Sequence, residues 1–158
     1  MKIILGIDPG SRVTGYGVIR SNGNKHEYIT SGCIRTGEGD LSSRLHAIYK
    51  SISTLIEQYR PVEASIEEVF VNANVNSALK LGQARGAALV AFAQYVLPVA
   101  EYAPRRIKQA VVGYGGADKS QVQHMVKTIL CLNKAPALDA ADALAVALCH
   151  AHTREITI

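Results

Sequence analysis

The chain has 158 residues, 48% of them hydrophobic and 19% charged, with a formal net charge of +4 and a mean hydropathy of +0.10. That length suits one domain with its own core and is short for two, and the composition excludes a disordered polyelectrolyte. Lys80, Arg85 and Gln94 interrupt the longest apolar stretch before it reaches the ~18 residues of a membrane helix, so no membrane partner is expected.

Residues 3–8 (IILGID) read as a buried strand that Pro9 and Gly10 end, and not as the start of a signal peptide. Val13 to Arg20 reads as a second strand, Ser21-Asn22-Gly23-Asn24 as a hairpin turn, and residues 25–36 as a third strand of an antiparallel meander. Asp40 is placed to cap a helix in which Leu41, Leu45, Ile48, Ile52, Leu55, Ile56 and Tyr59 recur at helical spacing until Pro61. A strand over about 62–67, a loop over 68–75 and a helix over 76–95 follow. The helix carries small residues at Ala78, Gly82 and Gly86, a stripe that permits close approach of either the sheet or a second subunit. Val99 to Tyr102 makes a fifth strand and Pro104 opens a short helix. The loop GYGGADKS leads into a helix over about 119–131, and the last helix covers 137–151. This order predicts an α/β protein with a five-stranded mixed sheet, three antiparallel N-terminal strands plus two more, and helices on both faces.

The charge is uneven. Between Ala103 and Leu138 stand six basic residues and one acid, Asp118, while the rest of the chain sums to about −1. A local excess of this kind suits a polyanion, because each phosphate contact releases condensed counterions. Three separated cysteines (Cys33, Cys131, Cys149) with no CxxC pair suit free thiols in a reducing cytoplasm.

The last helix is the most informative segment. From Leu138 to Leu148 every residue other than Asp139 and Asp142 is Ala, Leu or Val, the signature of a buried helix. The two aspartates are i and i+3, so they share a face. Burying two like charges costs several kcal/mol unless a cation or a proton compensates, and no basic side chain lies between Lys134 and His150. Capping and the helix macrodipole account for Asp139, not for Asp142. Asp8 and Glu67 each end an apolar strand just before a loop. Four acids thus come from three segments at element termini. Oxygen-only donors suit Mg²⁺ or Mn²⁺ rather than zinc, and two such ions can clamp the attacking and leaving oxygens of a phosphate.

The stretches GIDPGSRVTGYGVI, SIEEVFVNANVNSALKLGQARG, IKQAVVGYGGADKSQVQHMV and LDAADALAVALCH occur in this order and resemble the RuvC family of Holliday junction resolvases across nearly the whole chain. The resemblance implies an RNase H-like nuclease domain over residues 1–158. It implies Asp8, Glu67, Asp139 and Asp142 as catalytic metal ligands, with two Mg²⁺ per site and Mn²⁺ as a substitute. It also implies a homodimer that nicks four-way DNA junctions symmetrically in T-rich sequences beside a branch-migration motor complex. Phe70 would stack on an unpaired base, a contact worth roughly 1–3 kcal/mol. Lys108 and Lys119 would hold the DNA backbone, and Arg105 and Arg106 belong to the same basic run. The resemblance also implies that nothing catalytic depends on any longer C-terminal extension.

Other patterns are weaker. GYGGADKS imitates a nucleotide-binding P-loop, but Asp118 replaces the glycine before Lys-Ser, which leaves Lys119 and free amides at a helix start as a phosphate contact. GIDPGS resembles the phosphate loop of actin-like and sugar-kinase-like ATPases, which need two related domains. Glu68 is expected to point away from Glu67. His124 reads as an ordinary helix residue. His150, His152 and Cys149 suit a helix C-terminus better than a zinc site. A junction-binding scaffold and an RNase H acting on RNA–DNA hybrids are the remaining alternatives.

Overall fold

The computed structural model describes residues 1–69 and 74–154. Its elements are β1 (Lys2–Asp8), β2 (Val13–Asn22), β3 (Lys25–Arg35), α1 (Leu41–Tyr59), β4 (Glu63–Glu67), α2 (Val75–Gln94), β5 (Val99–Tyr102), α3 (Pro104–Val112), α4 (Lys119–Ile129) and α5 (Leu138–Arg154). The predicted boundaries agree within about two residues except at the last helix, which runs further. Asp40 caps α1 by accepting from the Ser43 amide at 2.9 Å, and Arg60 closes the helix in the left-handed conformation.

The sheet order is β3-β2-β1-β4-β5. β1, β2 and β3 form an antiparallel meander, whereas β4 and β5 run parallel to β1. The C-terminal ends of β1, β4 and β5 therefore lie at one edge. Ladder alternation assigns the two faces. Leu5, Ile7, Val18, Ala64 and Ile66 pack with α1 and α2, where Ile48, Ile52, Ala88 and Phe92 are buried. Ile4, Ile19 and Tyr102 pack on the other face with Ile107, Val126, Leu144 and Leu148 of α3, α4 and α5. Asp8 has the parity of Ile4, and Glu67 the opposite parity to Ile66. Both acids face α5.

α5 is the central helix of its layer, and glycine lets it sit low. A Cβ on Gly6 would overlap the Ala143 carbonyl oxygen, and one on Gly15 would overlap that of Asp139. The Ala78–Gly82–Gly86 stripe plays no such part. Among the described residues nothing lies within 4 Å of a Cβ built on Gly82 or Gly86, and the residues of α2 buried against the sheet are Ala84, Ala88, Ala91 and Phe92. Of the two surfaces that the stripe could meet, the sheet is thereby removed.

Candidate functional site

Three strand and helix ends meet beneath α5. One carboxylate oxygen each from Asp8, Asp139 and Asp142 lies within 4.8 Å of the others. Oxygens around a shared Mg²⁺ at 2.0–2.1 Å stand about 3–4 Å apart, so small side-chain adjustments bring all three to one ion. Glu67 joins the group differently, through a hydrogen bond with Asp8.

Crowding shows in the proton affinities. Burial, then the charge of Glu67 and that of Asp142, push the Asp8 carboxyl up to about 9. The hydrogen bond with Glu67 adds to that rise. Burial raises Glu67 as well, opposed by that bond and by Lys108 and Lys119. Asp142 rises to about 6, chiefly by burial, against the pull of Lys119. A group of carboxylates in which burial disfavours the charged forms of Asp8, Glu67 and Asp142 is short of positive charge, and all-oxygen donors fit a hard divalent cation.

The expectation that neither aspartate of α5 has a basic neighbour is corrected for Asp142. Lys119 Nζ stands 3.9 Å from Asp142 Oδ2, from an element remote in sequence, and is 69% exposed. Lys108 and Lys119 line a cavity of about 230 Å³ together with Asp8, Glu67 and Asp142. Arg105 lines a neighbouring opening of about 500 Å³ that also borders Asp8 and Glu67. Glu68 borders that same opening, contrary to the expectation that it turns away, because the strand ends at Glu67 and the alternation stops there. Arg106 is set apart: its guanidinium lies 6.0 Å from the Tyr102 ring centre and donates to Thr153 Oγ1. Phe70 lies outside the described residues.

One further expectation changes. The amides at the start of α4 are not all free, since the Asp118 carboxylate accepts from the Gln121 amide at 2.9 Å and completes a capping box with the Gln121 side chain. An anion there would meet a carboxylate, so that helix terminus is not an open anion site beside Lys119. His150 is held by Glu63 at 2.5 Å and by the Tyr102 hydroxyl at 2.6 Å, while Cys149 is buried in the core, which leaves no zinc trio.

The sequence profile described as "Crossover junction endodeoxyribonuclease RuvC" matches residues 4–150. The chain belongs to the RuvC family. Proteins named crossover junction endodeoxyribonuclease RuvC from Marinobacter nauticus and Aeromonas hydrophila are each 61% identical to it, over 98% and 100% of this chain and 89% and 91% of theirs. Thermus thermophilus RuvC in complex with a Holliday junction substrate superposes with a TM-score of 0.92 at 34% identity, covering 99% of this chain and 96% of that one. The yeast mitochondrial resolvase Ydc2 shares the RuvC fold at a TM-score of 0.64 and 13% identity, covering 94% of this chain and 78% of that one.

Proposed function

We propose that this chain is a metal-dependent endonuclease that resolves four-way DNA junctions by paired symmetric nicks, as one RNase H-like nuclease domain over residues 1–158. The reading is carried by the convergence of Asp8, Asp139 and Asp142 on one point with Glu67 bonded alongside, in a chain of the RuvC family.

Asp8, Glu67, Asp139 and Asp142 would hold two Mg²⁺, or Mn²⁺ in their place. When bound, such ions neutralise charge on the attacking and departing oxygens of the phosphodiester and lower the pKa of water. The protein's own contribution is placement. The rigid ends of β1 and β4 and the first turns of α5 fix the acids before substrate arrives. Lys108 and Lys119 border the same cavity and would hold the scissile phosphate, and Arg105, at the neighbouring opening, would meet the backbone beside it. Arg106 would act further out on the DNA or through packing on Tyr102. Phe70 keeps its proposed stacking role.

A homodimer matches the twofold symmetry of an open junction. The surface we assign to it is the outer face of α2. Val75, Leu79 and Val90 are about 60% exposed there, in line with Ala78, Gly82 and Gly86. Cytoplasmic location and work beside a branch-migration motor are part of the proposal. Among the described residues, no helix is long and apolar enough to cross a membrane.

The test offers a synthetic four-way junction and an RNA–DNA hybrid duplex with Mg²⁺. Symmetric cleavage of the junction alone is expected. Asp8→Asn should abolish cleavage and leave junction binding intact. Wild-type rates from that variant, or a preference for the hybrid, refute the reading.

A further inference from the structure

We propose that Arg85, on α2, is a positioning residue that fixes Glu67 through its main chain, from the face of the sheet opposite the carboxylates. The proposal rests on the reading of Glu67 as a metal-holding acid. Arg85 Nε donates to the Glu67 carbonyl oxygen at 3.3 Å, and its Nη2 donates to the Glu101 carboxylate on β5. The arginine side chain is only 18% exposed. Alternation explains the arrangement: Ala100 and Tyr102 pack on the α5 face, so Glu101 between them projects towards α2.

Glu67 needs such a fastening. It is the last residue of β4, with Tyr102 as its partner at the end of β5. Glu68 N donates to Tyr102 O at 2.9 Å, and the strand then leaves the sheet. Pro9 follows Asp8 and Pro104 follows Ala103, so at both positions the neighbouring segments bring no N–H to this edge. Arg85 supplies a donor from behind instead, and Glu101 holds the guanidinium in place. The clamp on its carbonyl resists displacement of the Glu67 main chain at this strand end. Arg85 touches neither substrate nor metal in this role.

The test uses the full chain, a synthetic four-way junction and Mn²⁺. Arg85→Met should lower kcat about tenfold to a hundredfold, the range expected when a reacting group is displaced by about 1 Å. Its junction affinity in EDTA should be unchanged. Mn²⁺ binding to the DNA-free protein, read by electron paramagnetic resonance, should weaken several-fold. Arg85→Lys restores one donor and should recover part of both losses. Glu101→Gln loosens the second anchor at a half-exposed position and should give a smaller loss in the same direction. It decides the matter if Arg85→Met does not fold. Wild-type kcat and Mn²⁺ binding in Arg85→Met, or in Glu101→Gln in that case, overturn the proposal. So does a loss of junction binding equal to the loss of activity, which would make Arg85 a DNA contact. Asp8→Asn run alongside separates the levels. If it is inactive while Arg85→Met is normal, only the positioning role falls; if it cleaves normally, the carboxylate site falls and this role with it.

Discussion

Gly15 of β2 lies directly against the Asp139 main chain, so close that a Cβ on the glycine would overlap the Asp139 carbonyl oxygen. Gly15 is also the ladder partner of Asp8. One glycine therefore sets how near two acids from opposite ends of the chain come to each other. Gly15→Ala should raise α5 at its N-terminus. The expected cost is about 1–3 kcal/mol of stability, typical of overpacking, together with a disproportionate loss of function. Urea titration gives the first quantity, and the Mg²⁺-induced rise in Tm gives the second. A variant with wild-type metal response would show that the close approach is incidental.

Stability of the metal-free protein should fall as pH rises. Asp8 is pushed from an ordinary 3.8 up to about 9, and Asp142 to about 6. The folded state thus keeps protons that the unfolded chain releases. The contribution is fully present below about pH 4, the Asp142 share is spent by about pH 7, and the Asp8 share is lost progressively up to about pH 9. Tm in EDTA should decline from pH 5 to pH 9. Asp8→Asn should flatten the upper part of that decline, and Asp142→Asn should raise the metal-free Tm above pH 6. The rise produced by Mg²⁺ should grow with pH, because the ion binds carboxylates that have given up their protons. A flat metal-free profile would contradict the crowding.

The acids were legible because each sits where a short-range rule ends. Asp8 and Glu67 terminate apolar alternation, and Asp142 interrupts a helix that is otherwise Ala, Leu and Val, so local pattern alone singles them out. What meets them was not legible. The spacing of Lys119 and Asp142 in sequence gives no hint that α4 delivers the lysine to within 3.9 Å of the carboxylate. The small residues of α2 could have packed on the sheet, whereas within the protomer Gly6 and Gly15, read as ordinary strand residues, make the close approach between helix and sheet. Arg85 passed for an interruption of an apolar run, since its partners are a main-chain carbonyl and a side chain on another strand. Periodicity reports which face is buried, not which atom lies opposite.

In the proposed function Lys119 would bear on DNA affinity and on the acids at once. It is largely exposed, so its pairing with Asp142 is screened and adds little to stability. Its larger effect should appear with DNA. Lys119→Met should weaken junction binding uniformly across sequences and reduce the slope of log Kd against log salt by about 1, the signature of one lost phosphate contact. Arg106→Met should alter that slope less, since its guanidinium lies near Tyr102 and Thr153. Filter binding at several salt concentrations measures both. Equal slopes for Lys119→Met and the wild type would remove Lys119 from the DNA contact.

The outer face of α2 gives a substitution that separates assembly from folding. A Cβ on Gly82 meets nothing within 4 Å among the described residues of the protomer. Replacing glycine inside a helix with leucine improves helix propensity by up to about 1 kcal/mol. Gly82→Leu should therefore leave the protomer at least as stable as before. Between two α2 helices that approach along the Ala78–Gly82–Gly86 line, the same leucine fills the space that close contact requires. Sedimentation should show monomers at concentrations where the wild type is dimeric. The products should change in kind as well as in amount, with single unpaired nicks replacing symmetric pairs, because each monomer retains its own four acids. If Gly82→Leu sediments as a dimer, the interface lies elsewhere and the exposed apolar residues of α2 need another partner.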